Sequence, residues 1–222
     1  MKGRFFVIDG TDGSGKATQT KLLIGRMLRE HLAVETITFP QYGAKSAGMV
    51  EEYLAGKFGT PEAVGSRRAS IFYAIDRYAA SGKISGWLSA GSNVVADRYV
   101  ASNMGHQGSK ERRGEERLAF FKWNDELEFG LFKIPRPDLN IILHVPAAVS
   151  MQLIEKRGNA KDAHENLEHL TSAETTYLEI ARTFPGFKLI ECFEDGRLLS
   201  PEEVHAKVWD TVQSVLTPAQ IR

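Results

Sequence analysis

Ten residues near the start of the chain hold its most distinctive chemistry: Gly10-Thr11-Asp12-Gly13-Ser14-Gly15-Lys16-Ala17-Thr18-Gln19. Their spacing meets the pattern G-x-x-x-x-G-K-[ST] up to its last position, where Ala17 replaces the hydroxyl that ordinarily touches Mg²⁺. A backbone that wraps a phosphate turns its N–H groups inward, and this needs φ values that glycine adopts cheaply. A helix opening at Lys16 adds unpaired N–H groups and a positive dipole end. The lysine itself brings a point charge to the β- and γ-phosphates. The apolar run Phe5-Phe6-Val7-Ile8 precedes the loop and a helical pattern follows it. That strand, loop and helix order separates the motif from a mere glycine-rich turn, so the loop points to a nucleotide. Ala17 leaves open how a metal is anchored and whether chemistry occurs.

The rest of the chain must position that loop. Its 222 residues, 42% hydrophobic and 25% charged, are enough for one large globular α/β domain spanning residues 1–222. Formal net charge is zero, which argues against a basic nucleic-acid surface. One cysteine, Cys192, excludes an internal disulfide and suggests a reducing compartment; its apolar neighbours make it a core residue. No apolar run approaches a membrane span, and Met1-Lys2-Gly3-Arg4 leads straight into a strand without a signal peptide's apolar region, so we expect a cytoplasmic protein.

Five apolar runs are separated by helical stretches: Phe5 to Ile8, Val34 to Phe39, Val94 to Ala96, Leu139 to Val145 and Phe187 to Cys192. Several are continuous, as strands buried on both faces are, and the alternation predicts a doubly wound parallel five-stranded sheet. The first helix carries the stripe Thr20, Leu23, Ile24, Met27 and Leu28. The last is bounded by Ser200, Pro201 and Glu203, a capping box, and lines up Val204, Val208, Val212 and Val215. Thr60-Pro61 starts another helix in the same manner.

Ligands of such sheets bind beyond the carboxyl ends of the strands, so the residues after each run matter most. Asp97 at a strand end suits a magnesium-facing carboxylate, and Arg98 suits a bidentate phosphate clamp; equally, the two read as a surface pair opening a helix. In Phe72-Tyr73-Ala74-Ile75-Asp76-Arg77 the aromatic spacing fits core packing as well as a base-stacking platform, and Arg77 reads by default as a solvated helix charge. The charged segment from about 155 to 166, with Arg157, Lys161, Asp162 and Glu165, reads either as a solvated loop or as a lid over a transferring phosphoryl group.

Together these residues resemble the thymidylate kinases of the P-loop nucleoside-monophosphate kinase group. The likeness runs over nearly the whole chain. It rests on the phosphate loop, Phe39-Pro40, Asp97-Arg98-Tyr99 with Ser102-Asn103, Pro135-Arg136-Pro137-Asp138 and Asp162-x-x-Glu165. The resemblance implies a P-loop NTPase fold with a small lid at about 155–166, and transfer of the γ-phosphoryl group of ATP to dTMP with Mg²⁺. It also implies a homodimer. For ATP it implies Gly10, Thr11, Asp12, Gly13, Ser14, Gly15, Lys16, Ala17 and Thr18, with Arg157 and Lys161 supplied by the lid because Gly13 stands where one class of the family has a basic residue. For dTMP it implies Asp12, Phe39, Tyr42, Tyr73, Arg77, Arg98, Ser102, Asn103 and His106.

Within that set the resemblance implies that Tyr73 stacks on thymine while Phe72 is core, and that Arg77 meets a thymine carbonyl and Asn103 the N3–H edge. Tyr42 stands where many members carry arginine, so Arg98 carries most of the acceptor-phosphate charge. His106 stands near the sugar 2′ position, where tyrosine is frequent. Lys16, Arg98, Asp12 and Arg157 are the expected catalytic groups. Without a hydroxyl at Ala17, Mg²⁺ is expected on phosphates, waters, Asp97 and Asp12; Thr18 lies about 100° further round the helix. A deoxynucleoside kinase, another nucleoside-monophosphate kinase and an inactive nucleotide-binding protein are the rival readings.

Overall fold

Residues 2–157 and 167–216 are described by the computed structural model. Their centre is a five-stranded sheet in the order β2-β3-β1-β4-β5, every pairing parallel. The strands are β1 (Phe5–Gly10), β2 (Val34–Thr38), β3 (Asn93–Asp97), β4 (Leu139–His144) and β5 (Phe187–Glu191). β1 is buried along its whole length because helices cover both sheet faces. Phe5 and Val7 point into one core with Ile84, Met104, Phe120 and Tyr177. Phe6 and Ile8 point into the other with Leu23, Met27, Val208 and Val212. This two-sided burial is why the central strands read as continuous apolar runs rather than as alternation.

The helices are α1 (Lys16–Arg29), α2 (Gly48–Leu54), α3 (Pro61–Val64), α4 (Ser66–Ser89), α5 (Val100–Gly108), α6 (Gly114–Asp125), α7 (Ala147–Arg157), α8 (Leu167–Thr183) and α9 (Pro201–Gln213). A π-helical turn, Glu126–Leu131, continues α6. The α9 capping box is present, with Ser200 Oγ accepting from Glu203 N and Glu203 accepting from Ser200 N. Thr60 caps α3 by accepting from Ala63 N. Cys192 is buried, and burial foremost, then Glu191, pushes its thiol up to about 12.

One expectation needs correction. Leu28 is 57% exposed, because the buried stripe of α1 runs through Lys16, Gln19, Thr20, Leu23 and Met27 and leaves Leu28 past its edge. The segment Glu194-Asp195-Gly196-Arg197 closes a small hairpin, β6 (Phe193–Glu194) with β7 (Arg197–Leu198). Asp195 and Gly196 both have positive φ (50° and 77°), which suits the right-handed twist of paired strands.

The carboxyl end of the sheet is braced by an imidazole between two carboxylates. His144 meets Glu191 through Nδ1 and Glu174 of α8 through Nε2 at 2.8 Å, while Glu174 also accepts from Ala147 N at the start of α7. Burial works against a charge on His144, but hydrogen bonds to Glu174 and Glu191, and their charge, outweigh it and raise its pKa. A raised folded-state pKa gives stability that is fully present below the unfolded value and is lost as pH rises through the folded one. His144→Phe should therefore cost about 2 kcal/mol at mildly acidic pH, with a gap to wild type that narrows on going alkaline. Paired thermal melts across pH 6 to 9 check this; a gap that widens with pH would be the wrong sign.

Candidate active site

The phosphate loop leaves β1 at its carboxyl end and turns into α1. Gly13 has φ 83°, and a Cβ there would stand 2.8 Å from Ser150 O, so a side chain is excluded twice over. Gly15 caps α1 with φ 88° and no side-chain hydrogen bond, which leaves the first N–H groups of the helix for an anion. Lys16 is buried and folds back on the loop, its Nζ donating to Gly10 O (3.1 Å) and Thr11 O (2.7 Å) and standing 3.8 Å from Asp12 Oδ1. Burial and Arg98 pull this ammonium down to about 8 against Asp12, Asp9 and Asp97. The hydroxyls of Thr11 and Ser14 are buried with no partner among the described residues. A loop rich in unspent donors fits the phosphates of a nucleotide. Ala17 and Thr18 are both exposed on the first turn of α1.

Arg98 follows β3 directly. Its backbone has φ 66°, an unfavourable conformation for a long side chain, and the neighbouring groups hold it there. Arg98 N donates to Ile8 O (2.9 Å), and Tyr99 N donates to Asp9 Oδ2 (3.2 Å). Asp9 is fully buried, and its Oδ1 accepts from Gly10 N (3.0 Å), Ser102 Oγ (2.7 Å) and Tyr177 OH (2.7 Å). One carboxylate at the end of β1 thus ties together the phosphate loop, α5 and α8.

The Arg98 guanidinium pairs with Asp12 and also reaches Ser102 Oγ at 3.2 Å and His106 Nε2 at 3.3 Å. Burial opposes charge on Asp12, yet Arg98, Lys16 and His106 hold it far below the usual carboxylate range. His106 Nδ1 in turn faces His169 Nε2 of α8 at 3.2 Å. Asp97 behaves differently: burial raises its pKa more than Lys16 and Arg98 lower it. Its side chain has no hydrogen bond or ion pair among the described residues, so it is the carboxylate of this cluster without a protein partner.

A cleft opens beside this cluster. All nine residues expected around dTMP line it: Asp12, Phe39, Tyr42, Tyr73, Arg77, Arg98, Ser102, Asn103 and His106. Phe39 is buried, and its N donates to Asp97 O at 3.1 Å, which brings the chain after β2 against β3. Tyr42 is 64% exposed at the rim. Tyr73 is half-buried on the wall, whereas Phe72 turns away onto Tyr53 and Phe58, as a packing residue does.

Arg77 overturns its default reading as a solvated charge. It is 2% exposed and donates through Nε (2.7 Å) and Nη2 to the carboxylate of Glu128, itself fully buried in the π-helical turn. Burial works against the guanidinium's charge, but Glu128 outweighs it and raises the pKa. Asn103 donates to Ser70 O (3.2 Å) and Asn124 Oδ1 (3.0 Å), while its own Oδ1 is buried and unpartnered among the described residues. Asp76 accepts from Gln41 N (2.8 Å) and Ser46 Oγ (2.6 Å) and pins the loop that carries Tyr42.

Glu128, Asp76 and Asp9 were not singled out in the sequence. Asp9 and Asp76 each end a run of apolar residues, which is a signal, whereas Glu128 follows Asp125 and Glu126 and carries none. Of the lid candidates, Arg157 ends α7, while Lys161, Asp162 and Glu165 lie outside the described residues.

The comparisons with known proteins agree with this geometry. A family model described as thymidylate kinase matches residues 8–207. A thymidylate kinase of Mycobacterium tuberculosis (strain ATCC 25618 / H37Rv) is 31% identical over 183 residues, covering 78% of this chain and 84% of the relative. A probable thymidylate kinase of Pyrococcus abyssi (strain GE5 / Orsay) is 28% identical, covering 94% of this chain and 95% of the relative. The solved structure of thymidylate kinase from Candida albicans superposes with a TM-score of 0.76 over 96% of this chain and 92% of that one; at 19% identity it speaks to the fold. With a phosphate loop beside a cleft lined by Arg98, Tyr73 and Arg77, and a family model matching residues 8–207, this chain belongs to the thymidylate kinase family.

Proposed function

We propose that this chain transfers the γ-phosphoryl group of ATP to dTMP, giving ADP and dTDP, with the residues just described in the following roles. The loop amides, Thr11, Ser14 and Lys16 hold the ATP phosphates. Arg98 clamps the acceptor phosphate, and Asp12 would sit between the sugar 3′-hydroxyl and the waters of the metal. Tyr73 stacks on the base, Arg77 and Asn103 read its edge, and Ser102 and His106 border the sugar. The acceptor oxygen attacks the γ-phosphorus in line, the bond to the β-bridging oxygen breaks, and ADP leaves with that electron pair. No protein nucleophile takes part; positioning and charge lower the barrier. The observation that carries this reading is the convergence of all nine acceptor-site candidates on one cleft beside the phosphate loop.

Mg²⁺, when bound with ATP, would supply charge neutralisation of the phosphates. Asp97, whose side chain has no hydrogen bond or ion pair among the described residues, is the side chain best placed to hold its water shell, with Asp12 beside it. Asp97→Asn should raise the Mg²⁺ needed for half-maximal rate several-fold at fixed ATP; an unchanged magnesium titration removes Asp97 from the metal network. Arg157 and Lys161 are taken as lid charges that reach the transferring phosphoryl group.

The function itself is tested by coupled ADP release with ATP, Mg²⁺ and, in turn, dTMP, dUMP, UMP and thymidine. We expect turnover with dTMP above the rest. Turnover of thymidine but not dTMP defeats the reading, as does nucleotide binding with no acceptor turned over. The same reading takes the enzyme as a cytoplasmic homodimer. Ile71, Ile75 and Tyr78 support the dimer, forming an exposed apolar stripe at i, i+4 and i+7 on α4 that a second copy would cover. No helix among the described residues is long and apolar enough to cross a membrane.

A further inference from the structure

Glu128 accepts from both side chains assigned above to the base edge. Its Oε2 takes Arg77 Nε at 2.7 Å, and its Oε1 takes Arg77 Nη2 together with Asn103 Nδ2 at 3.3 Å. A buried ionised carboxylate accepts hydrogen bonds and donates none. The Ser70 carbonyl, 3.2 Å from the same Asn103 nitrogen, also only accepts. Turning the Asn103 amide over would therefore set its oxygen against two oxygens in a buried place. The amide is held with NH₂ toward Glu128 and Ser70, so Oδ1 is its spare acceptor: it is buried and unpartnered among the described residues, on a residue that lines the cleft. Asn124 does not impose this polarity, because its own Nδ2 is equally unpartnered there and its amide follows Asn103. On Arg77, which lines the cleft, Glu128 occupies Nε and Nη2, while Nη1 keeps one long contact, 3.4 Å to Tyr99 O, and so has a hydrogen to spare.

We propose that Glu128 is the positioning residue that sets the hydrogen-bond polarity of the base site, presenting a donor from Arg77 beside an acceptor from Asn103. That pair complements a pyrimidine with a C4 carbonyl and an N3–H. A cytosine base offers an amino group and a bare N3 at the same places, so donor would meet donor and acceptor would meet acceptor. Selection for uracil-type over cytosine-type monophosphates then originates in a carboxylate that need not touch the base. The inference rests on the reading that Arg77 and Asn103 face the acceptor base.

Glu128→Gln tests it, since glutamine keeps the shape but turns one acceptor into a donor. The ratio of kcat/KM for dTMP over dCMP should fall by about tenfold or more, because a site built to hydrogen-bond one edge discriminates strongly only while its polarity is intact. KM for dTMP should rise about tenfold while KM for ATP stays within about twofold. Asn103→Ala should lower the same ratio, and the double variant should do little more than either single one, as coupled sites do. A folded Glu128→Gln enzyme with an unchanged ratio, or with ATP and dTMP weakened alike, overturns the proposal. If that variant does not fold, an unchanged ratio in Asn103→Ala overturns it and a collapsed ratio supports it. A wild-type chain that does not turn over dTMP overturns the parent reading and this one together, whereas an active wild type with an unmoved ratio in the variants overturns this one alone.

Discussion

Arg98→Ala should lower dTMP turnover by about 10²–10³, the scale of losing one preorganised charge from a water-poor site. The argument starts at the backbone. A non-glycine residue at φ 66° is retained where neighbouring groups over-determine it, and here Asp9 fixes Tyr99, Ser102 and Tyr177 around the turn. The guanidinium is thereby aimed at the junction of the phosphate loop and the acceptor cleft. In the unliganded protein its charge is balanced by Asp12, and an acceptor phosphate would compete for it. Because the interaction tightens as charge is redistributed during transfer, the loss should fall mainly on kcat and on KM for dTMP. KM for ATP should move little. Arg98→Lys should recover only part of the rate, since an ammonium keeps the charge without the fork. Steady-state kinetics with each substrate varied decides this. A defect confined to ATP, or smaller than about threefold, would sink the assigned role.

Arg77→Ala should have the largest effect on stability. It strands the Glu128 carboxylate at zero exposure, and breaking a buried ion pair from one side costs about 3–5 kcal/mol. It should also weaken dTMP far more than ATP. The two effects can be separated. Replacing both partners with apolar residues of similar volume, Arg77→Met with Glu128→Leu, should restore most of the stability, because neither charge is then left unpaired. It should not restore dTMP affinity. Chemical denaturation measures the first effect and nucleotide-induced shifts in melting temperature the second. Recovery of dTMP binding in the double variant would show that Arg77 serves packing alone.

Much of the site was legible before any coordinates. The phosphate loop and Asp97-Arg98-Tyr99 sit next to apolar runs that become β1 and β3, so chain-local signals placed them at strand ends. Tyr73 and Arg77, four apart on α4, were legible as a pair on one helix face. What could not be read was the state of charge and pairing. The default of a solvated Arg77 failed because its partner lies 51 residues away on a π-helical turn. Asp9 follows the first apolar run with nothing nearby to mark it; its role depends on Ser102 and Tyr177, which reach it from 93 and 168 residues away.

The sequence by itself therefore determined the succession of strands and helices and the phosphate loop with its missing hydroxyl at Ala17. Those follow from local periodicity and glycine geometry, which are written in consecutive residues, whereas the side chains expected around the acceptor came from the resemblance to a family. The tertiary structure alone decided which carboxylates are already engaged and which one is left. Asp9, Asp12 and Glu128 are bound to donors brought from other elements, and Asp97 is not. Pairing of buried charges depends on distances between segments far apart in the chain, and no spacing within one segment encodes it.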